Sequence, residues 1–331
     1  MELKNRRLFR QQCFINGQWT SAEDGRTFPV YNPANGKELG SAPLLSQAQT
    51  AQAIEAARLA WPAWKALSPA DRATILHRWH DCILENTDDL AKIMTLEQGK
   101  PLAEAKGEIA NALGYITWFA EEARRAYGEV IPPSASGKQP LTIRQPIGVT
   151  AAITPWNFPF GMIVRKASPA LAAGCPMVIK PATKTPYSAL ALAELADQAG
   201  IPAGVFSVVT GEASVVGAEI CANPTVRKLS FTGSTAVGKK LIAACAPTVK
   251  KLSLELGGNA PLIVCADADL DLAVAGALGC KFRNSGQTCI CVNRILVYRG
   301  IHDEFVEKLK EQAQKIVLGD GLQAGESCAV Y

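Results

Sequence analysis

The chain has 331 residues, 48% of them apolar, enough to bury a substantial core and divide into two domains, so disorder is not expected. Its 34 basic and 30 acidic residues leave a formal charge of +4 with the signs interspersed, which argues against a nucleic-acid groove. Ten scattered cysteines and three histidines (His77, His80 and His302) give neither a disulfide framework nor a tetrahedral zinc set, so a reducing, cytoplasmic setting and no metal are expected.

The basic start, residues 1–10, is not followed by an apolar signal core, and no apolar run reaches the roughly 20 residues that span a bilayer. A soluble protein with no membrane partner is therefore expected. Residues 13–31 read as short strands and turns, with Asn16-Gly17 as a hairpin turn. Helical spacing follows over 46–60, 69–90 and about 101–127, broken at Gly99-Lys100-Pro101. Trp61, Trp64, Trp79 and Trp118 are read as helix packing. The Pro, Ser and Gly content of 131–146 marks an excursion between denser segments.

From residue 148 onward, short apolar runs alternate with helix-length segments. Strands are predicted at 148–153, 177–180, 205–209 and 226–231, and helices at 160–172, 188–199, 212–221 and 235–244. This alternation is the pattern of a mostly parallel sheet covered by helices, an α/β nucleotide-domain arrangement. A new unit begins after Gly257-Gly258, with a run at 261–265, helices at 270–280 and 303–316, and a strand at 295–298. Residues 319–331 supply no obvious closing element.

Several residues carry chemistry. Cys289, in Ser285-Gly286-Gln287-Thr288-Cys289-Ile290-Cys291, sits among turn formers, and a thiolate that adds to an aldehyde carbonyl opens a route through a thiohemiacetal to a thioester. An unperturbed thiol, with a pKa of about 8.5, needs a base or positive potential to ionise fully near neutrality, and Glu255 in Glu255-Leu256-Gly257-Gly258 is the candidate base. Asn157, in Thr154-Pro155-Trp156-Asn157-Phe158-Pro159, follows a predicted strand and can aim its amide at a developing oxyanion. Gly233 and Ser234 lie between a predicted strand and a helix, where free N–H groups hold a pyrophosphate. Lys180 ends another strand, within reach of a ribose or phosphate oxygen. Each has an ordinary alternative. Cys289 can be apolar filler, Glu255 a surface carboxylate, Asn157 a turn residue, Ser234 a helix cap and Lys180 a solvated charge.

Taken in order, Thr154 to Pro159, Lys180-Pro181-Ala182, Phe231-Thr232-Gly233-Ser234, Glu255 to Gly258 and Gly286 to Cys289 make the chain resemble the aldehyde dehydrogenase superfamily, and within it the bacterial succinate-semialdehyde dehydrogenases. The resemblance runs from Phe14-Ile15-Asn16-Gly17 to about Gly321. It implies an aldehyde dehydrogenase-like α/β fold, with a discontinuous NAD(P)-binding Rossmann-type domain at 1–125 and 147–257. It further implies a linker or oligomerisation excursion at 126–146 and the first part of a catalytic domain at 258–331.

The implied roles are Cys289 as nucleophile, Glu255 as general base and Asn157 as oxyanion donor. Thr154, Pro155, Trp156, Asn157, Lys180, Ala182, Thr183, Gly233, Ser234 and Leu256 would contact the cofactor. Thr183 stands where a glutamate accompanies NAD preference, so NADP or dual use is implied, with Lys184 as a further phosphate contact. Arg165 and Arg283 match positions that hold the distal carboxylate of succinate semialdehyde, and the glutarate homologue differs by one methylene. Taken singly, each arginine is also readable as a surface charge.

Cys291 matches a paired-cysteine form and is either a redox partner of Cys289 or packing. The resemblance also implies a homodimer or homotetramer and a longer chain carrying a further ribose-binding glutamate. The stretch 326–331 departs from the family's continuation, so a shortened, inactive nucleotide-binding or assembly fragment is the alternative.

Overall fold

The computed structural model describes residues 2–323 and the backbone of 328–329. The departure expected over 326–331 lies almost wholly outside these residues. Two hairpins open the fold. The Asn16-Gly17 turn joins β1 (Cys13–Ile15) to β2 (Gln18–Thr20), and its φ values of 50° and 75° let a two-residue loop follow the strands' right-handed twist. β3 (Thr27–Tyr31) pairs with β4 (Glu38–Pro43), a strand that the sequence pattern does not announce.

Four helices follow: α1 (Gln47–Ala66), α2 (Pro69–Glu85), α3 (Thr87–Gln98) and α4 (Leu102–Glu122). The single helix predicted over 69–90 is two. Asn86 leaves helical geometry at φ −104°, ψ 13°, and its side-chain amide donates to the Cys82 carbonyl at 2.8 Å, an alternative to continuing the helix. α3 then stops at Gly99, whose φ of 95° suits glycine and whose N–H donates to Thr95 O at 2.8 Å.

Trp64 and Trp79 are buried, with their indole N–H groups on the carbonyls of Leu171 and Leu192. Trp118, expected to pack, is 63% exposed because it points opposite the Ile109, Ala112, Ile116 and Ala120 stripe of α4. The excursion at 126–146 holds a short exposed hairpin, β5 (Glu129–Val130) with β6 (Leu141–Thr142).

The sheet core then alternates β7 (Val149–Ile153), α5 (Gly161–Ala172), β8 (Met177–Lys180), α6 (Tyr187–Gln198), β9 (Phe206–Val208), α7 (Ala213–Ala222), β10 (Val226–Thr232), α8 (Thr235–Cys245) and β11 (Lys251–Glu255). The last strand is absent from the sequence reading, which runs from the 235–244 helix straight to the Gly257-Gly258 turn. The seven-stranded order is β11-β10-β7-β8-β9-β1-β2, parallel from β11 to β9 and antiparallel where β1 joins. Side chains alternate between two cores. Ala152 and Ile179 face the layer of α2 to α6, whereas Ala151 and Val178 face α1, α7 and α8.

Helices α5 and α6 receive carboxylates from the helical layer at their first turns. Glu108 of α4 accepts from the N–H groups of Phe160 (3.0 Å) and Gly161 (2.8 Å), and Glu97 of α3 accepts from those of Tyr187 (2.7 Å) and Ser188 (2.8 Å). These acceptor oxygens satisfy the free N–H groups at the helix starts and orient both helices on the sheet, although burial pushes the Glu97 pKa up to about 8.

Beyond the sheet lie β12 (Ala260–Val264), α9 (Leu270–Phe282), β13 (Val292–Val297) and α10 (His302–Ala313), with β12 and β13 parallel around a small core of Val264, Val274, Ala277 and Phe305. β14 (Leu318–Gly319) and β15 (Cys328–Ala329) pair at the end. No helix among the described residues is long and apolar enough to cross a membrane.

Candidate active site

The strand order reverses at β7. Its chain neighbour β8 lies on one side, while β10 lies on the other, so a crevice opens beyond the carboxyl ends of β7 and β10. Three predicted segments begin there. Thr154 to Phe158 follow β7, Lys180 ends β8, and Gly233 and Ser234 follow β10. Cys289 comes to the same place from the second unit. A cavity of about 380 Å³ is lined by Trp156, Asn157, Gly233, Ser234, Gly257 and Cys289, among others.

Cys289 is exposed at this cavity. Its loop leaves a turn in which Asn284 (φ 52°), Ser285 (φ 55°) and Gly286 (φ 76°) all have left-handed backbone, costly for the two residues that are not glycine. Gly258 approaches it closely, since a Cβ there would stand 3.2 Å from the Cys289 carbonyl oxygen. Asn157 donates its side-chain amide to the Gln287 carbonyl at 2.7 Å, which ties the β7 loop to the thiol loop. Cys291 is buried and its thiol points to the Lys281 carbonyl at 3.5 Å, whereas Cys289 faces outward; both are free thiols.

Glu255 is the last residue of β11, opposite Thr232 of β10, and it lines a separate cavity of about 460 Å³ with Arg165 and Lys166. In this conformation its carboxylate is not among the groups lining the Cys289 cavity. Thr232 lines the Cys289 cavity, and its hydroxyl accepts at 2.6 Å from Lys166, which lines the other. Burial lowers the Lys166 pKa to about 8, opposed by the charge of Glu255. Lys166 is a polar residue of the site that the pattern missed. Its signal was a lysine on the apolar Ile163, Val164, Ala167 face of α5.

The cofactor candidates fall at strand ends. Lys180 is 3% exposed, and its one hydrogen bond among the described residues goes to the Pro181 carbonyl at 3.1 Å. Burial alone lowers its pKa to about 8. Thr154 keeps a buried hydroxyl with no partner. Ser234 caps α8 by accepting from Val237 N–H at 3.3 Å, and Gly233 leaves no room for a Cβ, which would lie 2.4 Å from the Phe231 ring. Leu256 packs against Gly238 of α8, where a Cβ would meet it at 2.7 Å. Thr183 and Lys184 line a third cavity, of about 510 Å³, beside Trp156 and Gln287. An ammonium short of acceptors, an orphaned hydroxyl and a helix N-terminus fit the ribose and pyrophosphate of a dinucleotide.

The two arginines stand apart. Arg165 lies 5.6 Å from the Tyr115 ring centre and lines the Glu255 cavity, and Arg283 lies 5.5 Å from the ring centre of Phe158, which lines the Cys289 cavity; both are exposed. Sequence reasoning also missed Gln98, Lys100, Glu108 and Asn284, buried polar residues around the thiol turn. Glu108 was detectable as a charge on the apolar Ala105, Ile109, Ala112 stripe of α4, and Lys100 was read only as part of a helix boundary.

The aldehyde dehydrogenase family matches residues 19–329. A glutarate-semialdehyde dehydrogenase of Pseudomonas aeruginosa is 61% identical over 98% of this chain and 67% of its own length. The NADP-dependent succinate-semialdehyde dehydrogenase of Escherichia coli is 60% identical with the same coverage. The crystal structure of an E. coli NADP-dependent enzyme superposes with a TM-score of 0.98 at 60% identity, covering 99% of this chain and 68% of that one. A family match along nearly the whole chain, joined to the switch-point crevice and its thiol, places the protein in the aldehyde dehydrogenase family of NAD(P)-dependent oxidoreductases.

Proposed function

We propose that the chain oxidises succinate semialdehyde to succinate with NADP or NAD, and tolerates glutarate semialdehyde. The observation that carries this reading is the meeting of Cys289, Asn157 and the α8 N-terminus in one cavity at the switch point. The names of the P. aeruginosa and E. coli relatives supply the substrate class. The comparisons do not support the alternative of an inactive nucleotide-binding or assembly fragment.

Cys289 loses its proton and adds to the aldehyde carbon, turning the carbonyl oxygen into an oxyanion. Asn157, released from the Gln287 carbonyl, donates to that oxygen together with a backbone N–H. A nicotinamide cofactor, which Lys180, Gly233 and Ser234 would hold, would supply the acceptor for the hydride that the aldehyde carbon gives up. The thioester left on Cys289 is cleaved by water, whose proton passes to Glu255, and succinate leaves with the thiol restored. For this step the exposed Glu255 side chain turns from the Lys166 cavity toward Cys289.

Arg165 and Arg283 hold the distal carboxylate in this reading, and Lys180, Ser234 and Gly233 hold the cofactor. Thr183, with no carboxylate to repel a 2′-phosphate, favours NADP. Cys291 serves as an oxidative partner of Cys289 only if the turn opens to expose it. We place the enzyme in the cytoplasm, as a homodimer or homotetramer.

The test is NADH and NADPH formation by the purified chain with succinate semialdehyde. Turnover is expected and should be lost in Cys289→Ala, while a folded sample without turnover overturns the reading. Arg165→Glu and Arg283→Glu are each expected to lower kcat/KM for succinate semialdehyde by about tenfold or more while sparing a neutral aldehyde. Equal losses on both substrates would remove the arginines from the substrate site.

A further inference from the structure

A buried polar group links the helical layer to the thiol turn. Lys100, 1% exposed at the α3–α4 joint, donates to the Glu108 carboxylate and, at 2.9 Å, to the Asn157 backbone carbonyl. Asn284, fully buried, donates its side-chain amide to that same Asn157 carbonyl at 3.0 Å and to the Gln287 carbonyl at 3.3 Å. Gln98 donates to the Asn284 side-chain oxygen at 3.1 Å and accepts from Lys100 N–H at 2.8 Å. The same joint holds the end of the second unit, because Leu102 N–H donates to the Gly321 carbonyl at 2.9 Å.

Two facts set the function of this group. The turn it grips contains two non-glycine residues in left-handed backbone, a conformation that surrounding contacts must enforce. Gln98 and Lys100 come from the helical layer of the sheet unit, whereas Asn284 and Cys289 come from the second unit, so the contact crosses between them. We propose that Lys100 is a positioning residue which, through the Asn157 carbonyl and Asn284, fixes the Cys289 turn against the β7 loop.

This inference rests on the proposed reaction for its kinetic arm, but not for its structural one. The variant is Lys100→Met with Glu108→Gln, which leaves no unpaired buried charge and keeps an oxygen for the α5 N–H groups. Hydrogen exchange in the full chain is expected to accelerate at least about tenfold over 284–291, while amides of β7, β8 and β10 keep their rates. Uniform acceleration across the sheet would mean general destabilisation and would overturn the proposal, as would unchanged exchange at 284–291. Asn284→Asp, which keeps a residue tolerant of left-handed backbone but removes the amide donor, should reproduce the local effect.

In the kinetic arm, kcat is expected to fall about tenfold or more with KM for NADP unchanged. A matched rise in the cofactor KM with kcat retained would instead make Lys100 part of the cofactor site and overturn the positioning role. If the parent chain shows no turnover, the proposed reaction fails while the exchange experiment still decides the role of Lys100.

Discussion

Lys180 shows what a single residue at this site costs and provides. Its pKa lies at about 8 in the folded chain, below the value of about 10.4 expected when unfolded, because burial opposes its charge. The unfolded state therefore binds more protons between those two values, and stability rises with pH across that window. Below pH 8 the folded protein carries the whole penalty, about 3 kcal/mol. Lys180→Met is accordingly expected to be more stable than the parent at pH 7, with the advantage shrinking toward pH 10, as urea unfolding at the two pH values would show. A cofactor oxygen that accepts from the ammonium favours the charged form, so NADP affinity of the parent should fall as pH rises through 8. A pH-independent affinity would detach Lys180 from the cofactor. The sequence showed this lysine only as a residue at a strand end. Its burial and its shortage of acceptors arise from the packing of β8 between β7 and β9, which no local pattern records.

At the scale of elements, strand–helix alternation was legible wherever apolar runs were buried on both faces, as in β7 and β8. β11 was not, because it is an edge strand of half-buried residues, and with it went the information that Glu255 closes a strand beside Thr232. The Cys289, Asn157 and Ser234 segments could be read from their order, yet the polar group beneath them could not, since its members lie up to 186 residues apart. Ser234 illustrates an element end with two uses. Ser234→Ala is expected to lower stability by about 1 kcal/mol through loss of the α8 cap. Ser234→Asp should retain the cap and weaken NADP binding by placing a negative charge where the pyrophosphate would sit. Thermal unfolding and cofactor titration separate the two effects, and equal NADP affinity in Ser234→Asp and the parent would leave the serine as a cap alone.

For the whole molecule, the sheet unit and the second unit differ greatly in how much they bury. The sheet is packed on both faces by many buried side chains, whereas the second unit centres on Val264, Val274, Ala277 and Phe305 and leaves Ile263, Leu272 and Leu296 exposed. Local stability follows buried apolar contact, so limited proteolysis is expected to cut within 258–316 well before 148–255. Simultaneous cleavage in both regions would show that the small core is held as firmly as the large one. The Leu102 contact with Gly321, the Asn157 contact with Gln287 and the Gln98 contact with Asn284 are among the points at which the firm unit steadies the weaker one.

The placement of Arg165 and Arg283 beside the rings of Tyr115 and Phe158, neither of them a cofactor candidate, has a consequence for adaptation. In the proposed reading, the groups that would measure substrate length and those that would hold the dinucleotide share no side chain. Either set can therefore drift under selection while the other stays intact, and a new chain length can be explored from helix faces and loops without rebuilding the strand ends. Innovation in such a scaffold is cheap where the substrate enters and conservative where the redox partner docks.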